Sequence, residues 1–581
     1  MRRPSIRVLP LLLLSAALAA SAAACASETD DSATGDESDL TEGSAAARAV
    51  LALVNDGAVS ADELLREARV TLDVGRAIVA HRDGADARRG TDDDDAFDTL
   101  RELDSIRGVG PATIQRIYEY AKRKGVTGAG GTEVIFSPAP ADASHLVRIA
   151  KEIDLAQKSV DIAIYSYSDA GISAALARAT ARGVKVRFVF NDAGDNSRQA
   201  TPAGTTSGKL EASAVNVRYI NKIMHHKFMI VDGPRDEIAR AKTAHLVTGS
   251  ANWSSSAART FDENTVIFQN QEELVLRFQR EFDNMWAHSR DFTAGATPLA
   301  YELSTTAIPD SAIPEGASTD VLFTSSNFSV NNTTFSTTGA NTVADGLVAG
   351  INSATRSIHI ASGHLRSREV AEALIAKKHA SPALDIRVYL DGQEYIAKGT
   401  HDIQIAKVQT CLAAAGDVPA KKRSCLDNDF LFGYQVGDAG IDVRYKYYAY
   451  RWDYTYAPQM HHKFMAVDGT TLYSGSYNLS DNAEHDTFEN MMVLEGAEHA
   501  ALIRAFEANF ESIWKTGRDE NKLAAVNAKI DQGGNFPIVF DPMALTWAEV
   551  TALKQKIRAS CPSVDTPEYR SAAASHTVCF R

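Results

Sequence analysis

The sequence has few cysteines, no excess of positive charge and no long hydrophobic run beyond its N-terminus. Only 5 of the 581 residues are Cys, and the formal net charge is −14. A general coat of positive charge for nucleic acid is therefore excluded, although a local basic groove is not. Without further runs of about 20 apolar residues, the chain is not a polytopic membrane protein. A hydrophobic content of 45% and a charged content of 23% also exclude a wholly disordered chain.

The N-terminus has the three parts of a secretory signal. Three arginines precede an apolar run from Val8 to about Ala20, and small residues follow up to Cys25. The run is too short for a membrane-spanning helix. A Cys directly after small residues resembles a bacterial lipoprotein site, which implies that Cys25 is lipidated. Plain cleavage after Ala24 is the alternative. We therefore expect an exported protein, either a lipoprotein of the bacterial cell envelope or a secreted one.

The cysteine count favours lipidation. Without Cys25 an even set of four remains, as expected in the oxidising compartment that an exported protein reaches. The short spacings predict the disulfides Cys411–Cys425 and Cys561–Cys579, although sequence alone does not determine the connectivity. Metal binding by these four residues is a poor alternative because no CxxC pair occurs.

Length predicts roughly three to five domains, and composition divides the chain into six segments. They are a signal peptide (1–24), an acidic tether (25–44), a helical module (45–126), a first repeat (132–300), a second repeat (318–520) and a C-terminal extension (521–581). Residues 158–192 parallel residues 356–391. Each stretch has an apolar strand, an amphipathic helix and a second β-branched strand, which predicts parallel strands covered by helices.

The helical module contains Gly108-Val109-Gly110 between two segments with helical periodicity. This arrangement resembles a helix-hairpin-helix, whose glycines let backbone amides approach a DNA phosphate at a helix N-terminus. The alternative is that the same glycines only form a tight turn between packed helices. The resemblance makes DNA a candidate partner through residues 45–125.

Both repeats contain the same residue types in the same order. Each has HHKFMxVDG, then GSxN, then EN, and fourteen residues separate Gly249 from Glu263 and Gly475 from Glu489. The shared residues are His225, Lys227, Asp232, Ser250, Asn252 and Glu263, matched by His461, Lys463, Asp468, Ser476, Asn478 and Glu489. Two copies in register leave coincidence as a poor explanation.

These residue types suit the cleavage of a phosphodiester. Strand alternation places His225 and Lys227 on one face. Two histidines can supply a nucleophile and an acid for the leaving oxygen, if one is neutral and the other protonated. The phosphate oxygens can be bound by Lys227, Lys463, Asn252 and Asn478, and substrate contacts are also expected from Ser250 and Ser476. No carboxylate cluster at metal-ligand spacing surrounds the motifs, so neither a metal nor another cofactor is expected.

Over roughly residues 132–520 the chain resembles the phospholipase D superfamily, with two HKD motifs in one polypeptide. The resemblance implies two α/β sandwiches related by a pseudo-twofold axis, with one site at their interface. It also implies a phosphohistidine intermediate, with His225 as nucleophile and His461 as general acid. Glu263 and Glu489 would hold the imidazoles through their second nitrogen. The expected fold class is α/β, preceded by a small all-helical module, in a monomer that forms an internal pseudo-dimer.

Four further residues belong to the two motifs. Asp232 and Asp468 are grouped with the catalytic residues, where they either touch substrate or organise the motif. His226 and His462 follow the catalytic positions, and we expect them to point into the fold.

The second repeat has ten additional residues before its motif, and they are rich in aromatic side chains. Tyr448, Tyr450 and Trp452 are expected to form a lip that binds substrate. Such a lip could meet a membrane interface, surround a quaternary ammonium head group or stack on bases. The alternative is an aromatic hairpin that packs on itself.

The sequence favours an exported phosphodiesterase of phospholipase D type that acts on glycerophospholipids, with phospholipid and the membrane surface as its partners. The alternative enzyme is a metal-independent nuclease of the same superfamily, guided to DNA by the helical module. A degenerate, non-enzymatic binding protein is disfavoured because both motifs are complete.

Overall fold

A computed structural model describes residues 45–57, 59–84, 99–124, 132–269, 271–292, 307–313, 319–426, 430–448, 458–496, 499–516, 520–532 and 541–560, with the single positions 40, 95, 97 and 567. The expectations for the signal peptide, for most of the acidic tether, for lipidation of Cys25 and for the disulfide Cys561–Cys579 lie outside these residues. Among the described residues, no helix is long and apolar enough to cross a membrane.

The N-terminal module is helical in its described parts. Its helices are α1 (Ala45–Asn55), α2 (Ala61–Glu67), α3 (Leu72–Arg82), α4 (Leu100–Ser105) and α5 (Pro111–Lys124). Ser60, Thr71 and Thr99 begin three of them, because each hydroxyl accepts a hydrogen bond from a backbone N–H of the first turn. Gly108 lies in the turn between α4 and α5 with a φ of +94°, a conformation that favours glycine.

The first half contains a mixed sheet with helices. Its strands are β1 (Glu133–Ser137), β2 (Ser159–Ile164), β3 (Lys185–Phe190), β4 (Asn216–Tyr219), β5 (Ile223–Met224), β6 (Lys227–Val231), β7 (His245–Gly249), β8 (Glu263–Gln269) and β9 (Arg290–Asp291). Its helices are α6 (His145–Leu155), α7 (Ala170–Ala181), α8 (Ala193–Asn196), α9 (Thr206–Ala212), α10 (Ser255–Arg259) and α11 (Glu272–Ala287). The sheet order is β1-β8-β7-β6-β2-β3-β4-β9, and β2 pairs in parallel with β3 through α7, as predicted.

The second half repeats this arrangement. Its strands are β10 (Thr319–Phe323), β11 (Phe328–Asn331), β12 (Thr334–Thr337), β13 (Ser357–Ser362), β14 (Asp385–Asp391), β15 (Asp442–Tyr447), β16 (Lys463–Val467), β17 (Thr471–Gly475), β18 (Thr487–Phe488), β19 (Asn490–Glu495) and β20 (Met543–Thr546). Its helices are α12 (Thr342–Ser353), α13 (Arg368–Ala380), α14 (Lys398–Ala415), α15 (Pro419–Leu426), α16 (Gly433–Asp438), α17 (Asp481–His485), α18 (Ala500–Thr516), α19 (Glu520–Asp531) and α20 (Trp547–Ser560). The sheet order β10-β19-β17-β16-β13-β14-β15-β20 matches that of the first half.

The C-terminal extension contributes to the second half. Strand β20 pairs antiparallel with β15 at the edge of the second sheet. Leu545 of β20 and Val550 and Leu553 of α20 lie in the core of that half. The described residues 541–560 therefore belong to the second half, although the sequence predicted that this half ends at residue 520.

A hydrophobic core shared by both halves joins the two sheets. Because side chains alternate along a strand, Phe228 and Ile230 of β6 face this shared core, as do Phe464 and Ala466 of β16. The intervening residue Met229 faces the core of its own half. The expected α/β fold of two similar, pseudo-twofold-related halves is confirmed.

The disulfide expected between Cys411 and Cys425 is present, and it joins α14 to α15. These helices lie in the connection between β14 and β15. The corresponding connection of the first half contains α8 and α9 and no Cys.

Candidate active site at the interface of the two halves

His225 and His461 occupy matching positions, two residues before β6 and β16, and the backbone of each is bonded to the other half. The N–H of His225 donates to the carbonyl of Phe488 over 3.0 Å. The N–H of His461 donates to the carbonyl of Asp262, also over 3.0 Å. The interface therefore positions both histidines.

Each imidazole is held by a glutamate of the opposite half. His461 Nδ1 lies 2.6 Å from Glu263 Oε1 in an aligned hydrogen bond. His225 Nδ1 lies 2.7 Å from Glu489 Oε1, without an aligned hydrogen bond. With Nδ1 directed at a carboxylate, Nε2 is the nitrogen available for chemistry.

The lysines lie beside the histidines, and both are buried. Lys227 Nζ donates to the carbonyl of His225 over 2.6 Å, and Lys463 Nζ donates to that of His461 over 2.8 Å. The ring of Tyr165 lies 5.2 Å below Lys227 Nζ and 4.5 Å from the ring of His225. One aromatic ring, for which no role was predicted from the sequence, thus contacts both the histidine and the lysine of the first motif.

The asparagines of the GSxN segments are half-buried, and each has an Oδ1 without a hydrogen-bond partner in the described part of the chain. The carbonyl of Asn252 accepts a hydrogen bond from His145 Nε2 over 3.0 Å. His145 is fully buried at the start of α6, and it holds the segment that presents Asn252. No motif signalled His145, because it has no matching residue type in the second repeat.

The serines of the same segments bond to the glutamate–asparagine segments in the interior. Ser250 Oγ donates to Glu263 Oε2 over 2.7 Å and accepts the N–H of Asn264 over 2.9 Å. Ser476 Oγ accepts the N–H of Asn490 over 3.0 Å. Both serines are completely buried. The expectation that they bind substrate is corrected for this reason.

The residues after the two glutamates also cross the interface. Asn490 Nδ2 donates to His226 Nδ1 over 2.9 Å, and Asn264 Nδ2 donates to His462 Nδ1 over 3.1 Å. His226 and His462 are completely buried, so they point into the fold, where they were expected. No role was predicted for the two asparagines, although the Glu-Asn pair in both repeats was an available signal.

The aspartates lie at the far ends of β6 and β16, so their placement among the catalytic residues is corrected. Asp232 and Asp468 have φ values of 53° and 56°. Their carboxylates accept backbone N–H groups at the starts of β2 and β13 over 2.6–3.2 Å. A five-residue strand at about 3.3 Å per residue puts them roughly 16 Å from the motif lysines. They organise the fold of each motif.

The described part of the expected aromatic lip is internal. Tyr448 is buried, and its hydroxyl donates to Asp391 Oδ1 over 3.2 Å. Asp391 Oδ2 also accepts the N–H of Met460 over 2.8 Å. Tyr448 therefore supports the residue before His461, and its expected role in binding substrate is corrected. Tyr450 and Trp452 lie outside the described residues.

Burial and the repulsion between neighbouring positive charges determine the protonation states of the histidines and lysines in the site. Burial, together with the charges of Lys227 and Lys463, lowers the pKa of His225 well below its usual value. Burial and the same lysines also lower the pKa of His461. A neutral His225 suits the attack of Nε2 on an electrophile. Burial lowers the pKa of Lys227 to about 7 and that of Lys463 to about 8, and an entering anion would favour the charged lysines.

The sequence is similar to those of known proteins. A family described as "Cardiolipin synthase, PLD-like domain" matches residues 149–286 and 347–514. The mitochondrial cardiolipin hydrolase of Xenopus laevis is 30% identical over 151 residues, which are 26% of this chain and 64% of that protein. The protein of that name from Danio rerio is 32% identical over 145 residues, 24% of this chain and 57% of that protein. The chain thus spans less than two thirds of the length of these curated relatives.

Among solved structures, the phospholipase D family member Nuc from Salmonella typhimurium is 26% identical, with a TM-score of 0.23, over 28% of this chain and 97% of that chain. The two regions that match the family make up more than half of the chain, and each contains one motif with its lysine, asparagine and glutamate. The chain belongs to the PLD-like domain family.

Proposed function

We propose that the protein is an exported phospholipase D-type phosphodiesterase that hydrolyses glycerophospholipids to phosphatidic acid and a free head group. The observation that supports this most is the pair of His–Lys sets at one interface, with each imidazole held by the other half. The name of the matched relatives, cardiolipin hydrolase, favours a phospholipid substrate. The family description includes the word synthase, which is consistent with a related reaction in which the phosphatidyl group is transferred to an alcohol.

In the first step, Nε2 of His225 attacks phosphorus. The new P–N bond forms as the bond from phosphorus to the head-group oxygen breaks, and His461, in its imidazolium form, gives its Nε2 proton to that oxygen and becomes neutral. The non-bridging oxygens are bound by Lys227, Lys463 and the side-chain amides of Asn252 and Asn478. Because the nucleophile and the acid come from different halves, neither half can complete the reaction alone.

In the second step, water attacks the phosphohistidine. Its proton goes to Nε2 of His461, its oxygen bonds to phosphorus, and the electron pair of the broken P–N bond returns to His225. Glu489 and Glu263 stabilise the imidazolium forms of the two rings through Nδ1. An alcohol in place of water gives the transfer product.

The test uses the purified full chain with phosphatidylcholine and phosphatidylglycerol vesicles, each with and without EDTA. We expect phosphatidic acid in both conditions and phosphatidylethanol when ethanol is added. Absence of any phosphatidyl product with several head groups, together with strong nicking of plasmid DNA, would refute the proposal. Activity that EDTA abolishes and one metal restores on a soluble substrate would refute the metal-independent chemistry.

A nuclease of the same family is the second candidate, because of the turn at Gly108 between α4 and α5. A Cβ at Gly108 would lie 2.8 Å from Val74 Cγ2, so the turn is packed against α3. This close packing also fits the alternative of a purely structural turn. DNA cleavage that falls steeply with salt would favour the nuclease.

Export and lipidation form a separate part of the proposal. The basic, apolar and small-residue segments before Cys25 support it. Mass spectrometry of protein from its native envelope should find a lipid on an N-terminal Cys25 and a Cys561–Cys579 disulfide. A mature N-terminus at another residue, or a free thiol at Cys561, would each refute one of these statements.

A further inference from the structure

A third histidine–glutamate pair lies beside the second motif, and the reaction steps above do not use it. His364 Nδ1 lies 2.9 Å from Glu394 Oε1. The carboxylate of Glu394 is completely buried and also accepts the guanidinium of Arg366, at 2.8 and 3.0 Å. Although burial opposes it, the hydrogen bond and charge of His364 and the charge of Arg366 lower the pKa of Glu394. An ionised carboxylate therefore fixes the orientation of the His364 ring.

The strand register brings His364 to the active site. Ser362 of β13 pairs with Lys463 of β16, and the N–H of Gly363 donates to the carbonyl of His462 over 3.2 Å. Extending this antiparallel register by one residue, forward from Gly363 and back from His462, places His364 opposite His461. The charge of His364 is also among the causes that lower the pKa of His461, after burial and the two motif lysines.

One nitrogen of His364 is available to a ligand. Nδ1 is directed at Glu394, so Nε2 is the second polar atom of the ring, and it has no hydrogen-bond partner among the described residues. The side chain is 32% exposed. A ring with a carboxylate at Nδ1 and a free Nε2 is the same arrangement that holds His225 and His461.

The first half has no such pair. The equivalent positions, aligned through the pairings of β2 with β3 and of β13 with β14, are Ser166 for His364 and Gly194 for Glu394. Tyr165, which stands against His225, is replaced by Gly363. The fold does not require the pair, because the first half forms the same sheet without it.

We propose that His364, positioned by Glu394, is a specificity-determining residue that hydrogen-bonds a hydroxyl of the leaving head group. The proposal rests on the proposed function and deepens it. In an in-line displacement the leaving oxygen departs on the side opposite His225, which is the side of His461 and of its neighbour His364. Head groups with free hydroxyls, such as glycerol, are then preferred over choline.

The chemistry of an imidazole explains this choice of head group. A neutral ring with Nδ1–H bonded to Glu394 accepts a hydrogen bond at Nε2, and a protonated ring donates one there. A hydroxyl group can satisfy either state because it both donates and accepts. The quaternary ammonium of choline has neither an N–H donor nor a lone pair.

The experiment compares kcat/KM for short-chain phosphatidylglycerol and phosphatidylcholine below their micelle concentrations, so that membrane charge does not enter. For His364→Ala we expect kcat/KM to fall about tenfold on phosphatidylglycerol, because one hydrogen bond is lost, and less than about twofold on phosphatidylcholine. His364→Asn, which can still hydrogen-bond, should retain part of the preference. Ser166→Ala, the matched position of the first half, should leave the ratio of the two substrates unchanged.

The outcomes separate this inference from the proposed function. If the wild-type chain forms phosphatidic acid but His364→Ala leaves the substrate ratio unchanged, the inference is refuted and the function stands. Equal losses on both substrates in a variant that melts like wild type would also refute the role in specificity. If the wild-type chain forms no phosphatidic acid from either substrate, the proposed function itself fails.

Discussion

The two halves have the same sheet order and the same motif, but the surroundings of their histidines differ. In the first half, Ile220 and Phe488, whose carbonyl accepts the N–H of His225, both lie in the shared hydrophobic core. At the matching positions beside His461, Lys446 Nζ and Asp262 form an ion pair over 2.8 Å. The side chain of His225 is 9% exposed and that of His461 is 18% exposed.

This difference suggests how one duplicated framework can give two chemical roles. An apolar, enclosed setting favours a neutral imidazole, as a nucleophile requires. A more open setting with polar neighbours is suited to exchanging protons with a leaving group or with water. The histidine, lysine, asparagine and glutamate of the motif are the same in both halves, so the distinction comes from their neighbours.

Replacing the histidines should have the largest effect. His225→Asn and His461→Asn should each lower turnover by at least about 1,000-fold. With a p-nitrophenyl phosphodiester, His461→Asn should still form the covalent intermediate, because p-nitrophenolate leaves without a proton. His225→Asn should form none. Mass spectrometry of the acid-quenched enzyme measures this, and a phosphohistidine at position 461 would reverse the two roles.

The ion pair beside the second motif offers a test of stability. Asp262→Ala leaves Lys446 buried without its carboxylate, and we expect the free energy of unfolding to fall by about 3–5 kcal/mol. The double variant Lys446→Ile with Asp262→Phe copies the first half and should recover most of this loss. Urea unfolding measures both. A loss below about 1 kcal/mol in the single variant would show that the pair is not important for stability.

Replacing each glutamate should test whether it acts on the histidine of the opposite half. Glu489→Gln and Glu263→Gln should each lower kcat by about 10–100-fold, since each removes the charge that orients an imidazole. Glu489→Gln should slow formation of the intermediate, and Glu263→Gln should slow its hydrolysis. Rapid-quench kinetics distinguishes the two steps. If each glutamate affected the histidine of its own half, the crossed assignment would be wrong in solution.

The pKa values of the two lysines predict how kcat/KM and kcat depend on pH. Both must be protonated to attract the phosphodiester anion, and burial lowers their pKa values to about 7 for Lys227 and about 8 for Lys463. In the free enzyme, kcat/KM should therefore fall as the pH rises above about 7, by up to about tenfold per pH unit at first and by up to about a hundredfold per unit above about pH 8, where both lysines lose their protons. The fall of kcat should begin at a higher pH than the fall of kcat/KM, because the bound anion raises the pKa values of both lysines. Profiles that coincide would contradict this.

The smallest effect on turnover is expected for the aspartates. Asp232→Asn and Asp468→Asn should change kcat of the folded protein less than about threefold and lower the free energy of unfolding by about 1–3 kcal/mol. Although burial opposes it, hydrogen bonds from Thr355 and backbone N–H groups lower the pKa of Asp468 to about 2. Its contribution should be complete above about pH 4 and vanish as the pH falls toward 2. A melting-temperature difference that is independent of pH would refute this.

The repeated strand–helix–strand pattern was sufficient to predict the fold class and the parallel pairing of β2 with β3 and of β13 with β14. Strand alternation is a local property with a period of two residues, so it is visible in a sequence. The disulfide Cys411–Cys425 was predictable for a similar reason, because its two residues are only 14 positions apart.

The sequence by itself determined which residue types gather at the site, since both motifs contain the same residue types at the same spacing. Only the tertiary structure decided how they are paired. Glu263 meets His461 across 198 residues of chain, and no local periodicity records a contact over that distance. The buried position of Ser250, the remote place of Asp232 and the approach of His364 to the second motif likewise depend on how the sheets meet. Packing between distant segments, which no single segment encodes, created those contacts.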